Sequence, residues 1–297
     1  MNSTSASETP EPAARGILQI GGATFEWGAR TYVMGVLNIT PDSFSGDGLC
    51  ADIEATVEQA LRFEREGAHI LDIGGESTRP AGVYNGAEPI SEQEELERVL
   101  PVIEAVRAAC SLPVSIDTRK AAVARAAVDA GAGLVNDVTM LGYDPAMAVT
   151  IADLGTPVVI SHIRDKARYD DVVGEVITDL IVTVNEAEKA GVKRDKIILD
   201  PGIGFGKTAA HSLEVLRHLD ELTQLGFPTL IGTSRKSSIG LVLDLPVDDR
   251  VEGTAATVAL AIASGADMVR VHDVKVMARV AKMSDAIVRG WEGPQTP

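Results

Sequence analysis

Cysteine is scarce in this sequence, and the two cysteines, Cys50 and Cys110, lie far apart. They have neither the spacing of a metal site nor the number needed for a disulfide framework, so we expect two reduced thiols. Aromatic residues make up only 4% of the chain, which argues against extended base-stacking platforms for nucleic acid. Apolar runs of the roughly 20 residues needed to cross a bilayer are also missing, which predicts a soluble, cytoplasmic protein.

Basic residues are outnumbered, since 27 Lys and Arg face 43 Asp and Glu and leave a formal net charge of −16. General binding to nucleic acid or to anionic membranes depends on basic surface, so both are disfavoured. A small anionic substrate is not excluded, because a few local cations and helix N-termini can hold phosphate. Residues 1–15 are rich in small and polar residues and predict a disordered tail rather than a signal peptide.

Short apolar runs rich in β-formers alternate with amphipathic helical stretches along the remaining chain, 16–297. Eight such βα units predict a single α/β domain, a (β/α)8 TIM barrel, which needs about 250 residues. The predicted strands are 32–37, 70–73, 114–116, 134–135, 158–160, 197–199, 229–231 and 268–271. Active sites of such barrels lie at the carboxyl ends of the strands, so the fold also predicts the position of the site.

A six-residue pattern recurs where three predicted helices lead into strands, at 67–72, 131–136 and 265–270. Each copy reads Gly-Ala, one variable residue, two apolar residues and a polar residue. The glycine suits a helix C-terminus and the apolar pair suits a buried strand. The polar residues, Asp72, Asn136 and Arg270, are therefore predicted at comparable levels of the barrel mouth.

Asp117, Asn136 and Asp200 end the third, fourth and sixth predicted strands. Two carboxylates and an amide that converge on one mouth suit a flat heterocycle with N–H donors and a carbonyl acceptor. Lys236 follows the seventh strand and is predicted to contact the same ligand through its charge or its stem. His162 follows the fifth strand, where a functional and a supporting role are equally consistent with the sequence.

Arg270 and His272 alternate along the eighth strand, so both side chains should point to the same side. With Asn38 at the end of the first strand and nearby helix N-termini, they predict a site suited to diphosphate. The sequence has no His/Cys cluster typical of tightly bound zinc. Mg²⁺ held by substrate phosphates and one or two protein oxygens is the metal we expect.

Two βα loops, 38–52 and 74–91, are longer than a barrel requires, and we predict that they cover the site at its carboxyl-terminal face. The glycine-rich segment 202–207 fits neither the Walker nor the dinucleotide-binding spacing. We interpret it as a loop that brings Phe205 to the pocket wall and Lys207 as a nearby charge.

Seven motifs, in order, make the chain resemble the dihydropteroate synthase family. They are MGVLNITPDSFS (34–45), GESTRP (75–80), SIDT (115–118), ND (136–137), DPGIGFGK (200–207), SRKS (234–237) and RVHD (270–273). The resemblance implies a transferase of folate biosynthesis that condenses 4-aminobenzoate with (7,8-dihydropterin-6-yl)methyl diphosphate. The products would be 7,8-dihydropteroate and diphosphate. It also implies a requirement for Mg²⁺, a homodimer and a sulfonamide target.

The resemblance assigns roles to individual residues. The pterin would be held by Asp117, Asn136, Asp200 and Lys236. The 4-aminobenzoate would lie against Phe44, Thr78, Pro80, Phe205 and Ser237. The diphosphate would be bound by Asn38, Thr78, Arg79, Arg270 and His272, with the metal at Asn38. The catalytic set would be Asp42, Arg79, Asp117, Asp200, Lys236, Arg270 and His272, with Asp42 and Arg79 helping to close the long loops.

The expected mechanism is an SN1-like substitution in which Asp117 and Asp200 stabilise a cationic pterin methylene after diphosphate leaves. One departure from the family is Ser161, where a methionine usually packs against the pterin, and it predicts a looser or wetter pocket. Two alternatives stay open at this point. One is the pterin-binding barrel of a corrinoid-dependent methyltransferase, and the other is a catalytically silent paralogue that only binds pterins or a partner.

Overall fold

The computed structural model describes residues 16–39, 53–76, 89–291 and 293. The predicted tail, 1–15, lies outside the described residues. So do most of the two long loops, and with them five predicted site residues: Asp42, Phe44, Thr78, Arg79 and Pro80.

All eight predicted strands form, and their bounds differ from the predicted ones by at most two residues at either end. They are β3 (Tyr32–Asn38), β4 (Ile70–Gly74), β5 (Val114–Asp117), β6 (Leu134–Asp137), β7 (Val158–Ser161), β8 (Ile197–Asp200), β9 (Leu230–Ile231) and β10 (Met268–Val271). They pair in parallel in the order β8-β7-β6-β5-β4-β3-β10-β9. A bridge between Leu199 and Thr229 joins the two ends of this order and closes the predicted (β/α)8 barrel.

Helices surround the barrel and cover the outward faces of its strands. They are α1 (Ile53–Glu66), α2 (Glu92–Ala109), α3 (Ala121–Asp129), α4 (Met147–Leu154), α5 (Val172–Lys189), α6 (Ala209–Arg217), α7 (Leu219–Thr223), α8 (Ser237–Leu243), α9 (Val251–Ala263) and α10 (Val274–Val288). α6 starts at Ala209 because the Thr208 hydroxyl accepts a hydrogen bond from His211 N and so caps the helix. None of the described helices is long and apolar enough to span a membrane.

A hairpin that the sequence analysis missed closes the amino end of the barrel. Strands β1 (Ile17–Ile20) and β2 (Ala23–Glu26) pair antiparallel across a two-glycine turn. Both turn glycines have positive φ, which glycine adopts without strain. Two adjacent glycines between apolar runs are a recognised hairpin signal, so the hairpin was detectable.

The interior of the barrel changes from apolar to polar within two residues along five of its strands. Inward side chains near the amino ends form an apolar cluster with the hairpin: Tyr32, Met34, Ile70, Leu134, Val159, Ile198, Leu230 and Met268. Because strand side chains alternate, the residues two positions further along also point inward. On five strands these residues are polar: Asp72, Asn136, Ser161, Asp200 and Arg270. The apolar cluster is thus the floor of a polar site.

Candidate active site

Arg270 links two carboxylates in the middle of the barrel mouth. Its Nε donates to Asp72 Oδ2 at 2.6 Å, and its Nη2 donates to Asp117 Oδ2 at 2.6 Å. The amide Nδ2 of Asn136 donates to the same Asp72 oxygen at 3.1 Å. The prediction that the sixth residues of the repeated pattern lie at one level is therefore confirmed, since Asp72 is in direct contact with both Asn136 and Arg270.

Several buried polar atoms in this layer lack a hydrogen-bond partner among the described residues. They are Asp72 Oδ1, Ser115 Oγ, Asp117 Oδ1, Asn136 Oδ1 and Ser161 Oγ. Leaving a buried polar atom unpaired costs about 1–3 kcal/mol, so such atoms are expected to pair with a ligand or with water. Three of the five atoms are acceptors only, and they suit a ligand that presents N–H groups. The two hydroxyls can also donate.

The carboxylates of the mouth sit in an environment that opposes ionisation. Burial raises the pKa of Asp117 to about 7, with Arg270 acting in the opposite direction and Asp72 adding to the rise. Burial also raises the pKa of Asp200, although Gly202 N donates to its Oδ1 at 2.7 Å. Carboxylates with shifted pKa values that meet in one mouth are typical of functional sites.

Lys236 and Phe205 come from different loops and meet at the rim of the mouth. The Lys236 ammonium lies 4.1 Å from the centre of the Phe205 ring. This cation–π contact brings together two residues for which ligand contacts were predicted separately. Ser237 follows directly as the first residue of α8 and is half-buried.

A second pocket, of about 310 Å³, adjoins the mouth and contains two of the predicted anion-binding residues, Asn38 and His272. The sequence analysis did not identify the other polar residues of its lining, which include Arg62 on α1 and Arg235 after β9. Arg235 was detectable as the neighbour of Lys236. Arg62 was not, because an arginine on an amphipathic helix has no distinguishing signal.

His272 is a neutral donor in this pocket. Burial lowers its pKa to about 3, with help from the positive charges of Arg270 and Arg235. The Ser234 hydroxyl accepts from His272 N at 3.2 Å and lies 2.9 Å from His272 Nδ1. The hydroxyl can therefore donate a hydrogen bond to Nδ1, and in the neutral ring the N–H is then on Nε2. A neutral imidazole of this kind can hydrogen-bond to an anion without adding charge.

Comparison with known proteins places this geometry in a family. The family model described as pterin binding enzyme matches residues 34–272. The dihydropteroate synthase of Clostridium beijerinckii is 48% identical over 92% of this chain and 100% of its own length. The chain belongs to the dihydropteroate synthase family. The sequence-based identification of the family, and with it of a transferase, is therefore confirmed.

Solved structures of dihydropteroate synthases agree with this assignment. The Clostridium difficile synthase, solved in the presence of pteroic acid, is 45% identical with a TM-score of 0.85, covering 89% of this chain and 99% of that chain. The Xanthomonas albilineans synthase with 4-aminobenzoic acid is 44% identical with a TM-score of 0.85, covering 91% and 97%. A further structure of the X. albilineans synthase contains 7,8-dihydropteroate. The Yersinia pestis synthase, 38% identical, has been solved with a sulfonamide drug.

The loop after β8, which contains one of the motifs shared with dihydropteroate synthases, packs against the segment after β7. Gly202 and Gly206 both have positive φ, and a Cβ at either position would collide with the carbonyl of His162 or Arg164. Lys207 folds back over the loop, and its ammonium lies 2.7 Å from His162 Nδ1 and donates to Gly202 O at 3.1 Å. The charge of Lys207 acts on Asp200, whose pKa it lowers, and its amine also holds the loop together, a role that the sequence did not predict.

His162 has a supporting role in this synthase fold. It is wholly buried, and its Nε2 lies 3.1 Å from Asp179 Oδ2 while its Nδ1 faces Lys207. Burial and the Lys207 charge lower the pKa of His162 to about 4, so the ring is neutral and donates to Asp179. Of the two roles left open by the sequence, the geometry favours the supporting one.

We expect Gly202→Ala to weaken substrate binding by displacing the loop that presents Phe205. The new Cβ would meet His162 O in a left-handed conformation, and we expect a loss of about 1–3 kcal/mol in the free energy of unfolding. Gly226→Ala is the matched control, because Gly226 also has positive φ but open space around its Cβ position. Thermal unfolding and KM measured on both variants test this. Equal effects would show that backbone strain, and not the collision, determines the result.

Proposed function

We propose that this chain condenses 4-aminobenzoate with (7,8-dihydropterin-6-yl)methyl diphosphate to give 7,8-dihydropteroate and diphosphate, as a dihydropteroate synthase of folate biosynthesis. The observation that carries the proposal is the junction at Arg270. This residue contacts the buried layer of unpaired acceptors, and His272, two positions further along the chain, lines the neighbouring pocket with two arginines. A substrate with an N–H-rich heterocycle at one end and an anion at the other matches both halves.

In this proposal the pterin lies in the mouth, above the apolar floor. Asp117, Asn136 and Asp200 accept hydrogen bonds from its N–H groups, and Lys236 contacts its carbonyl or ring. The unpaired Oδ1 atoms of Asp117 and Asn136 support the first two contacts. Ser161 is wholly buried, and its hydroxyl also needs a partner, which supports the prediction of a wetter pocket than a methionine would leave.

The diphosphate lies in the adjoining pocket, where Arg270, His272 and Asn38 bind it. Arg62 and Arg235 line the same pocket and supply further positive charge. Arg235 is already paired with Asp273 through two hydrogen bonds, of 3.1 and 2.7 Å, so its charge is partly neutralised. Arg270 is likewise paired, with Asp72 and Asp117, so in this proposal the three arginines neutralise the leaving group together.

The pocket fits a magnesium ion that arrives with the substrate. The described residues contain no group of three or more His, Cys, Asp or Glu able to hold a metal ion by themselves. Mg²⁺ prefers to keep several waters and to be bound by substrate phosphates with one or two protein oxygens. Asn38, exposed at the end of β3, can supply such an oxygen. When bound, the ion would offset negative charge on the diphosphate.

The reaction then proceeds as an SN1-like substitution. The bond between the pterin methylene and the diphosphate oxygen breaks, and both electrons leave with the oxygen. Arg270 and His272 stabilise the charge that develops there. Ionised Asp117 and Asp200 stabilise the cationic methylene, so the arylamine nitrogen attacks without needing a strong base. After the new carbon–nitrogen bond forms, the nitrogen loses its extra proton to the released diphosphate or to water.

The 4-aminobenzoate lies at the rim in this proposal, where Phe205 and Ser237 form the described part of its site. Phe44, Thr78 and Pro80 complete that site, and Thr78 and Arg79 also contact the diphosphate. Asp42 and Arg79 help to close it. These five assignments fall on residues outside the described ranges and rest on the family motifs.

We expect the rate of pterin consumption in a single turnover to be independent of the 4-aminobenzoate concentration once the ternary complex has formed. The physical reason is that bond breaking, and not amine attack, limits a dissociative reaction. Rapid quench of the pre-formed enzyme–pterin–Mg²⁺ complex with increasing 4-aminobenzoate measures this rate. A rate that rises linearly with the amine, without any trapped cation, would contradict the SN1-like step.

A homodimer through the outer helices near the end of the chain also belongs to this proposal. Large apolar side chains are exposed on α8, α9 and α10, including Leu241 at 73%, Leu260 at 66% and Ile287 at 72%. Exposed apolar groups on neighbouring helices are typical of a contact surface. We expect sedimentation to give a mass twice that of one chain. The Leu260→Glu variant should instead sediment with the mass of a single chain. Val149→Glu, on the exposed face of α4, is the control and should leave the dimer intact.

A further inference from the structure

Asp72 occupies the centre of the site but belongs to none of the three binding groups described above. It lies on β4, is wholly buried, and points into the barrel between β3 and β5. One of its oxygens, Oδ2, accepts from both Arg270 Nε and Asn136 Nδ2. Its other oxygen, Oδ1, has no partner among the described residues.

The contact with Asn136 determines which end of that amide meets the ligand. Because Nδ2 is committed to Asp72, Asn136 Oδ1 is left as the ligand-facing atom, and it is buried without a partner in the described part of the chain. Asn136 is thereby fixed as an acceptor. Without Asp72 the amide could rotate and present a donor to the heterocycle.

The contact with Arg270 fixes the direction of the guanidinium. Nε is bonded to Asp72 on β4 and Nη2 to Asp117 on β5, and two anchors on adjacent strands define the plane of the group. Guanidinium has five N–H donors, so donors beyond these two exist for an anion. A planar group held on two sides loses less entropy when it binds a phosphate.

We propose that Asp72 is a positioning residue of the synthase reaction, which orients the pterin-binding amide of Asn136 and the diphosphate-binding guanidinium of Arg270 from a single carboxylate oxygen. This inference rests on the proposed function. Through Asn136 and Arg270, the buried Asp72 side chain acts on both halves of the substrate without contacting the reacting atoms itself.

The charge of Asp72 gives the proposal a readout that a purely structural residue would not have. The pKa of Asp117 is raised by burial, lowered by Arg270 on β10, and raised by Asp72 on β4, Glu95 on α2 and Asp137 on β6. The synthase needs Asp117 ionised, so kcat/KM should fall as the pH drops through the pKa of Asp117, near 7. Removing the negative charge of Asp72 lowers that pKa, and the acid limb should move to lower pH.

The test is the pH profile of kcat/KM for Asp72→Asn, together with its affinity for 7,8-dihydropteroate. We expect kcat/KM to fall by about 10- to 100-fold at pH 8, as is usual when a supporting contact of a functional group is lost, and the acid limb to move to lower pH. Asp267→Asn is the matched control. Asp267 is equally buried but lies at the amino end of the barrel, where it accepts from Thr229 N. We expect its kcat/KM within about twofold of wild type and its acid limb unchanged, because it is remote from the site.

A double-mutant cycle of Asp72→Asn with Arg270→Lys completes the test. If Asp72 acts through Arg270, the two losses in kcat/KM will be clearly less than multiplicative. Independent effects, or an unshifted acid limb in folded Asp72→Asn, would overturn the proposal. If Asp72→Asn does not fold, Asp72→Ser replaces it, and failure of both to fold would also overturn it. If the wild-type protein were inactive, the proposed synthase reaction would be wrong. The role of Asp72 would then be judged only from the dihydropteroate affinity of the Asp72→Asn variant.

Discussion

Replacing Arg270 by alanine is expected to lower kcat/KM for dihydropteroate formation by about 10³-fold or more. Removing one preorganised donor from a developing anion typically costs about 10²–10³-fold. Here the loss is larger because Asp72 and Asp117 would face each other without the cation that now lies between them. Diphosphate release by the variant and by the wild type, measured with both substrates present, gives the size of the effect.

Arg289→Ala is the control for the Arg270 prediction. Arg289 is similarly buried and also pairs with an aspartate, Asp285, but it contacts Gly28 and Thr31 at the amino end of the barrel. Its removal should lower thermal stability and leave kcat/KM nearly unchanged. A chain in which Arg270→Ala kept most of its turnover would contradict the assigned leaving-group role. If the wild-type chain were inactive, and both it and the Arg270→Ala variant bound dihydropteroate, the chain would be the silent paralogue.

Replacing Asp200 by asparagine is expected to lower kcat/KM by about 10²-fold or more, with most of the effect on pterin binding. Asparagine has the same shape and can still accept from Gly202 N through its oxygen, so the loop should keep its conformation. The lost charge removes stabilisation of the cationic methylene, and the new NH₂ group presents a donor to an N–H of the ligand. Isothermal titration with 7,8-dihydropteroate and steady-state kinetics separate these two contributions.

The Asp200 prediction has a specific contradictory outcome. If Asp200→Asn bound dihydropteroate as tightly as the wild type and lost only kcat, Asp200 would act on the cation alone. If neither value changed, the pterin would lie elsewhere in the mouth. The Asp267→Asn variant again shows what removal of a buried carboxylate does when it is remote from the site.

The polar mouth was predictable because strand alternation and chain position determine it together. Asp72, Asn136 and Arg270 each follow a Gly-Ala turn and two apolar residues, so a single register argument places them at one level. Asp117 and Asp200 follow apolar runs in the same way. The structure brings all five side chains into one layer above the apolar floor.

What the sequence did not reveal depends on contacts between distant segments. Arg270 pairs with Asp72 and Asp117, which lie 198 and 153 positions earlier, and no local pattern joins them. In the sequence, Lys207 looks like an ordinary loop lysine. Its side chain nevertheless turns back to His162, because both residues lie where the loops after β7 and β8 meet. The amphipathic stretch between β8 and β9 forms two helices, α6 and α7, since the backbone at His218 leaves the helical region. The hairpin β1–β2 carried a local signal, the paired glycines, that was overlooked.

Product analysis of the purified chain tests the central claim most directly. The protein is mixed with (7,8-dihydropterin-6-yl)methyl diphosphate and Mg²⁺, with and without 4-aminobenzoate, and both dihydropteroate and diphosphate are quantified. We predict equal amounts of the two products when the amine is present and no dihydropteroate without it. Absence of dihydropteroate in both mixtures, from folded protein that still binds the pterin, would contradict the proposed function.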